Sequence, residues 1–504
     1  MTKTKRLVGD NGIKFNNMFV TSPLCCPSRS SIFTGKYIHN HNALNNSVAG
    51  NCSSPAWQAG PEKEAFITKI KSQGYNTFFS GKYLNQYGFP QTGGVQHVPP
   101  GWDWWVGLVG NSRYYNYALS VNGTMEKHGK DYEKDYLTDV IHRRGIEFLN
   151  YQTENDPFFM MLSTPACHAP FTPAPQYAKN FSDLKAPRNG SYNVHGTDKH
   201  WLIRAAKSPM SQESVDMADD AFRNRWRTLL SVDDMVEDVV NTLQQKGLLD
   251  NTYIFFTGDN GFHLGQFSLP IDKRQLYEFD IRVPLMVRGP GIAAGQVREE
   301  IMLNIDFAPT FVELAGLSPP VDMDGMSMAK VLMDKSNKSL SFRDTFLVEH
   351  VGEYTINIPG CPNLYNQDVM ICSSDCVCED SRNNSFGCLR SINSKSSMKY
   401  CEMADDQACQ DYCPALCDSK NNTFSCVRVK EDGIDVKYCE IPDDNHFIEH
   451  YDVTEDPFEL TNLYPAVGEA KLAKYKDLLY SMARCAGENC KQTLQPKSIQ
   501  KLHE

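Results

Sequence analysis

The sequence predicts an α/β protein: a mainly parallel sheet sandwiched by helices, joined to a smaller cysteine-rich α+β domain. Three observations carry this. Short apolar runs alternate with amphipathic stretches from about residue 15 to 315. The Pro- and Gly-rich segment "GLSPPVDMDGMS" (316–327) breaks the alternation. Beyond it, eleven of the 17 cysteines crowd between Cys361 and Cys439. These place a boundary near residue 340, giving units 1–340 and 341–504.

In chain order, "YNTFFSGKY" (75–83) and "PFFMMLSTPA" (157–166) read as buried strands, because both faces are apolar and Gly, Pro or polar residues end them. "RNRWRTLLSVDDMVEDVVNTLQQKGLL" (223–249) repeats apolar residues at spacings of three and four, which predicts a helix. "TYIFFTGDNG" (252–261) and "VPLMVRGPG" (283–291) are further strands. In sheets of this kind chemistry gathers at the carboxyl ends of the strands, where Lys82, His168 and Asp259 would lie. The tail repeats itself: "CEDSRNNSFGCLR…MKYCE" (378–402) returns as "CDSKNNTFSCVR…VKYCE" (417–440). This predicts a duplicated disulfide-stapled hairpin.

Apolar and charged contents of 41% and 22% are those of a globular chain with a sizeable core. A net charge of −11 gives no global basic field, which argues against nucleic acid as a partner. No apolar run approaches the ~20 residues of a membrane-spanning helix. The opening "MTKTKRLVGDNG" lacks the apolar segment of a signal peptide. The cysteines nevertheless predict an oxidising compartment. So do eight Asn-x-Ser/Thr sequons, at Asn45, Asn51, Asn122, Asn180, Asn189, Asn337, Asn383 and Asn421. The expectation is a secretory-route glycoprotein whose signal lies outside this chain.

The stretch "SPLCCPSRSSIFTGKY" (22–37) carries two adjacent cysteines in a frame that resembles the sulfatase signature Cys-x-Pro-Ser-Arg followed by Thr-Gly-Lys/Arg. The frame makes Cys25 the signature cysteine and Cys26 the free position, a packing or disulfide residue. The resemblance implies an alkaline-phosphatase/sulfatase-like fold and conversion of Cys25 to formylglycine by a formylglycine-generating enzyme. A hydrated aldehyde is a nucleophile with a built-in exit, because its second hydroxyl lets the aldehyde reform as sulfate leaves.

Other positions follow from the same resemblance. Asp259 and Asn260, in "TGDNG", would hold one Ca²⁺ together with Cys25. Lys82 in "SGKY" and Lys273 in "DKRQLYE" would contact sulfate, and Arg29 would orient the modified Cys25. His168 in "PACHAP" would be the acid near the leaving group, with His263 in "DNGFHLG" as the second candidate. "DKHWLIR" offers Lys199, His200, Trp201 and Arg204 as a sugar-binding rim. "EHYDVTEDPFELTNLY" (449–464) resembles a structural tail element of the family.

Two departures stand out. Tyr83-Leu84-Asn85 follows Lys82 where many sulfatases have Lys-x-His, so the elimination base is unassigned, with His39 and His41 as weak candidates. The family's opening Asp-Asp strand has no counterpart here, and Asp10 lacks the preceding strand that would let it serve. The encoded metal site is therefore expected to be half-built.

Segments such as "NSRYYNYALSVNG" and "QFSLPIDKRQLYEFDIRVPLMVRGPGI" resemble lysosomal family members that act on 6-sulfated N-acetylglucosamine. The resemblance implies heparan sulfate and keratan sulfate as partners and is compatible with a homodimer. Three alternatives stay open: another glycosaminoglycan 6-O-sulfatase, a phosphoesterase of the same fold, and a catalytically impaired glycan-binding relative.

Overall fold

The computed structural model describes residues 1–336, 340–353, 384–393, 396–404, 425–431, 434–440 and 446–493. Its β layer begins with a five-stranded mixed sheet. The strand order is Thr124–Lys127, Ala118–Val121, Trp104–Leu108, Asn76–Gly81, Phe158–Ser163. Trp104–Leu108, Asn76–Gly81 and Phe158–Ser163 run parallel, and the first two are antiparallel additions. A second sheet orders Gln296–Arg298, Ile13–Phe15, Leu285–Arg288 and Ile254–Thr257. The strands expected at 75–83, 157–166, 252–261 and 283–291 are all present. The helix expected at 223–249 is longer at its start and spans Gln212–Gln245, capped by the Ser211 hydroxyl, which accepts from the Ser214 amide.

The β layer is divided. Phe158–Ser163 ends one sheet and Ile254–Thr257 ends the other. Among the described residues, no strand pairs with the outer edge of either. Every residue of both strands is half-buried, whereas Thr77 to Gly81 are fully buried. The two edges face one helix, Phe307–Leu314, whose Phe311 ring lies 5.4 Å from that of Phe159 and 5.1 Å from that of Phe255. The chain's first residues do not enter the sheets. Thr2–Thr4 and Lys5–Gly9 coil against the long helix, where Asp233 accepts from the Thr4 amide at 2.7 Å. Asp10 is exposed and paired with Lys14.

The third sheet is antiparallel: Thr345–His350, Phe386–Asn393, Ser396–Ala404, His446–Asp452. It is not an independent body. Phe346, Leu389, Tyr400 and Tyr451 belong to the same apolar core as Ile13, Phe19 and Leu285. The first repeat forms the central hairpin of this sheet, with Cys388 opposite Cys401 and bonded to it. The second repeat forms a separate two-stranded ribbon, Ser425–Glu431 with Ile434–Glu440, with Cys426 opposite Cys439 in register. Cys378, Cys417, Asn337, Asn383 and Asn421 lie outside the described residues. Of the other sequons, Asn122 and Asn180 are exposed, and Asn51 and Asn189 are half-buried. Asn45 departs from its expected role as a glycan carrier. It is buried, and its amide nitrogen donates to the Gly352 carbonyl.

His39 fastens the third sheet to the first body. Its ring bonds Glu349 at 2.8 Å and the Cys485 carbonyl at 3.0 Å. Burial pulls the imidazole down, but Glu349 and the carbonyl more than offset this and raise it to about 9. A raised folded pKa contributes stability that is complete below the unfolded value of about 6.5 and is lost as pH rises through about 9. The thermal midpoint should fall between pH 7 and 9.5, and His39→Gln should remove most of that slope. Calorimetry across this range is the check.

Candidate active site

The helix Cys25–Thr34 is buried along its whole length, so it sits as a rod inside the molecule with its first residue at the site. Gly35 ends it with φ +69°, where a side chain would press on Ala308 and Met323. Cys26 is tied to Cys52 by a disulfide, whereas Cys25, one residue earlier, is a free and buried thiol. Burial pushes the Cys25 thiol up. Lys273, Lys82 and Arg29 act the other way, against burial and the Asp259 carboxylate, and the net result lies below the ordinary thiol value.

Each cation is delivered by a defined piece of backbone. Gly81 ends the Asn76–Gly81 strand at φ +114°, where a Cβ would collide with the Ser163 carbonyl. That carbonyl accepts from the Lys82 amide at 2.8 Å and turns Lys82 into the site. The Lys82 ammonium is buried without a hydrogen-bond partner. Burial pulls it down to about 8, although the Cys25 thiolate opposes the shift. Arg29 is buried and makes three hydrogen bonds: it donates to the Tyr83 carbonyl, to Asn85 Oδ1 at 2.5 Å and to Asp259 Oδ2 at 2.6 Å. Lys273 sits between Asp272 and Arg274, two non-glycine residues with φ of +154° and +86°. Such backbone is costly and persists only where surroundings enforce it. The Lys273 ammonium is raised, because Cys25 and Asp272 outweigh burial.

Asp259 and Asn260 follow the Ile254–Thr257 strand. The Ser28 hydroxyl donates to the Asp259 carbonyl at 2.5 Å, and the Asp259 carboxylate is half-exposed. Asn260 Oδ1 is buried and has no partner. Both are hard oxygen donors of the kind Ca²⁺ takes, but calcium needs about six to eight. The described residues hold no cluster of three His, Cys, Asp or Glu side chains able to bind a metal. The donors fit calcium in kind and fall short in number.

His168 lies beside these groups. Its Nδ1–H donates to the Ala169 carbonyl at 2.9 Å, which leaves Nε2 as an acceptor. Burial first, then Lys82 and Lys273, hold the imidazole well below its ordinary value, so it is neutral. The role expected for His168 is the acid near the leaving group; burial and the two ammoniums favour its neutral form. His263 is fully buried, with Nδ1 on the Asp280 carboxylate at 3.0 Å, and its backbone pairs with Asp272. It is a strut beneath the Lys273 loop. His41 bonds Ser31, two helical turns beyond Cys25, and His39 is the fastener described above, so neither reaches the helix N-terminus.

The 199–204 segment is not brought to the site. It forms the helix Trp201–Ala205 instead of a strand end. Lys199 is fully buried, donates to the Leu460 carbonyl at 2.8 Å and lies over the Tyr451 ring. His200 is buried on Glu449, which also accepts from Tyr277 and Tyr451. Arg204 stacks on Phe447, and Trp201 is half-buried against the shared core. These residues join the body to the His446–Asp452 strand. They do not form a sugar-binding rim.

Sequence reasoning missed a bridge across the site. Arg274 is ion-paired with Asp272 and, at 2.7 Å, with Glu353. Glu353 also accepts from the Asn46 amide at 3.0 Å, and Asn46 Oδ1 accepts from the Cys26 amide at 2.9 Å. One carboxylate thus links the Lys273 loop to the first turn of the Cys25 helix. The "DKR" triplet hints at the Asp272–Arg274 pair, but nothing local signals Glu353. Glu353→Ala should raise hydrogen exchange in peptides covering 25–29 and 272–275 together. Glu353→Gln, which keeps the acceptor for Asn46, should loosen mainly 272–275.

A family model described as Sulfatase matches residues 1–317. The chain is 46% identical over 494 residues, 97% of its length, to human N-acetylglucosamine-6-sulfatase, of which 82% is covered. It is 42% identical over 358 residues, 70% of this chain and 31% of the relative, to an extracellular sulfatase homolog of Drosophila melanogaster. Among solved structures, one bound to its substrate D-glucosamine-2-N,6-O-disulfate superposes with a TM-score of 0.69 at 22% identity, over 97% of this chain and 93% of that one. A phosphonate monoester hydrolase from Silicibacter pomeroyi superposes at 0.64 and 17% identity, over 98% and 91% of the two chains. These low-identity likenesses concern the fold, while the family rests on the extended identity and the matched Cys25 frame: the chain belongs to the sulfatase family.

Proposed function

We propose that the protein hydrolyses the 6-O-sulfate of N-acetylglucosamine 6-sulfate units in heparan sulfate and keratan sulfate, acting in the lysosome. The observation that carries the reading is Cys25: a free, buried thiol at a helix N-terminus, ringed by Lys82, Lys273 and Arg29. The 46% identity to N-acetylglucosamine-6-sulfatases supports the choice of ester. Maturation converts Cys25 to formylglycine, whose hydrate supplies the attacking hydroxyl and a second hydroxyl for release of sulfate. Asp259 and Asn260 are the residues that would hold Ca²⁺, which supplies positive charge at the sulfate oxygens.

The chain's own groups divide the remaining work. The Lys82 and Lys273 ammoniums bind the sulfate ester monoanion and stabilise the negative charge that grows as the ester bond breaks. Arg29, bonded to Tyr83, Asn85 and Asp259, ties the Cys25 helix to the loop after Lys82 and to the Asp259 loop. Two groups near the leaving oxygen differ in protonation. Lys273, paired with Asp272 at 3.4 Å, is the donor toward that oxygen, while neutral His168 offers Nε2 as a proton acceptor. This gives the elimination base a candidate where Tyr83-Leu84-Asn85 supplies none.

Cys25→Ala should abolish release of sulfate from N-acetylglucosamine 6-sulfate and leave the thermal midpoint near that of the parent. Retained turnover would sink the mechanism. The pH profile gives a second check. Burial depresses the Lys82 ammonium, so kcat/KM should fall on the alkaline side at a pH below the ordinary lysine value, as that charge is lost. Lys82→Arg should push this limb upward by more than a unit, since a guanidinium stays protonated.

A further inference from the structure

Two loops bring His168 and Asn260 into the site, one from the end of Phe158–Ser163 and one from the end of Ile254–Thr257. Among the described residues, these two strands do not pair with each other. The proposed chemistry nevertheless needs a ring on one loop and an oxygen on the other at a fixed separation, because a misplacement of about 1 Å can cost a hundredfold in rate. A side chain that grips both loops would set that separation where the sheets do not.

Arg225, in the middle of the helix Gln212–Gln245, makes such a grip. Its Nη1 donates to the carbonyl of Cys167, the residue before His168, at 2.8 Å. Its guanidinium carbon lies 3.9 Å from the centre of the Phe262 ring, two residues after Asn260, and 5.9 Å from that of Phe171, three residues after His168. Both distances fall within the ~6 Å reach of a cation–π contact. The two rings meet edge-on with centres 6.1 Å apart. A guanidinium suits this double contact, because it donates in its plane while its face stacks on a ring.

Each loop is braced around the grip. The Phe171 amide donates to the His168 carbonyl at 3.1 Å, and Phe171 is held at φ +55°, a conformation that a bulky side chain adopts only under constraint. The Phe262 amide donates to the Phe279 carbonyl at 2.9 Å, which fixes the root of its ring. Tyr114 Oη donates to the Pro165 and His168 carbonyls at 3.3 and 3.0 Å, both on the first loop. Arg225 reaches the second loop as well.

We propose that Arg225 is a positioning residue: one guanidinium, bonded to the Cys167 carbonyl and stacked on Phe262, sets His168 against the Asn260 loop. It acts through the two loops and not on the substrate. The proposal rests on the reading above that His168 accepts a proton during turnover.

The test uses two variants. Arg225→Met keeps much of the side-chain volume and removes both contacts. Arg225→Gln keeps a donor for the Cys167 carbonyl and removes the charge over Phe262. With N-acetylglucosamine 6-sulfate as substrate, kcat of Arg225→Met should fall about ten- to a hundredfold and KM should not rise, because the loss is in reacting geometry and not in binding. Hydrogen exchange should rise together in peptides covering 165–171 and 259–264, and stay at the parent's level in those covering 76–82. In Arg225→Gln the rise should be confined to 259–264, with a smaller fall in kcat. Should Arg225→Met fail to fold, Arg225→Gln carries the test by that pattern. An unchanged kcat, a loss that enters through a raised KM, or exchange in Arg225→Met that rises in one loop only or throughout the chain overturns the proposal. Should the parent release no sulfate, the functional reading fails, and hydrogen exchange alone decides whether Arg225 couples the two loops.

Discussion

Buried positive charge governs this molecule. Lys82, Lys273 and Arg29 converge on one cysteine position in the interior, where the Asp259 carboxylate offsets only part of their charge. Buried cations are expensive, and here Arg29 is paired with Asp259 and Lys273 with Asp272, while Lys82 has no partner. That cost accounts for the surrounding features: a helix with no exposed face, a glycine pressed against a carbonyl, a lysine between two strained residues, and an arginine held by three hydrogen bonds. The unpartnered Lys82 ammonium and Asn260 oxygen are what remains to be satisfied by an anion and a cation from outside. The proposed reaction brings a sulfate to the first and calcium to the second.

Much of the site was legible because its parts are local. The Cys25 frame, "SGKY", "PACHAP" and "TGDNG" each end or follow an element whose pattern is clear, and the structure delivers all four to one place. Protonation was not legible, since it depends on what the folded chain packs around a ring. His168 reads as an acid in isolation, and its burial beside two ammoniums makes it an acceptor. The 199–204 segment failed for a related reason. Lys, His, Trp and Arg in a row look like surface, but Glu449, Tyr451 and Phe447 arrive from about 250 residues away and cover them. Glu353 is the converse case, a single acid in an unremarkable context that gains its role from long-range contact.

The divided β layer has its own physical meaning. Two half-buried apolar strands each place a ring against Phe311, and among the described residues neither has a partner on its outer edge. Edge strands of this kind are normally covered, charged or kept very short. Here neither edge carries a charged residue within the strand. Among the described residues, the sheet end that delivers His168 and the one that delivers Asp259 share the Phe311 ring, while Asn76–Gly81 and Phe158–Ser163 share six residue pairs in register.

The neighbouring thiols at 25 and 26 set a problem of fidelity during maturation. Cys26 belongs to Cys52, and Cys25 must remain unbonded until it is modified. The two differ by one residue, so an exchange in which Cys25 displaces Cys26 from Cys52 needs only a small rotation of the helix start. The resulting chain would have the same mass and nearly the same shape, and it would lack its nucleophile. The 26–52 bond holds the neighbouring sulfur and leaves Cys25 as the free thiol of the pair, the one the proposed conversion would use.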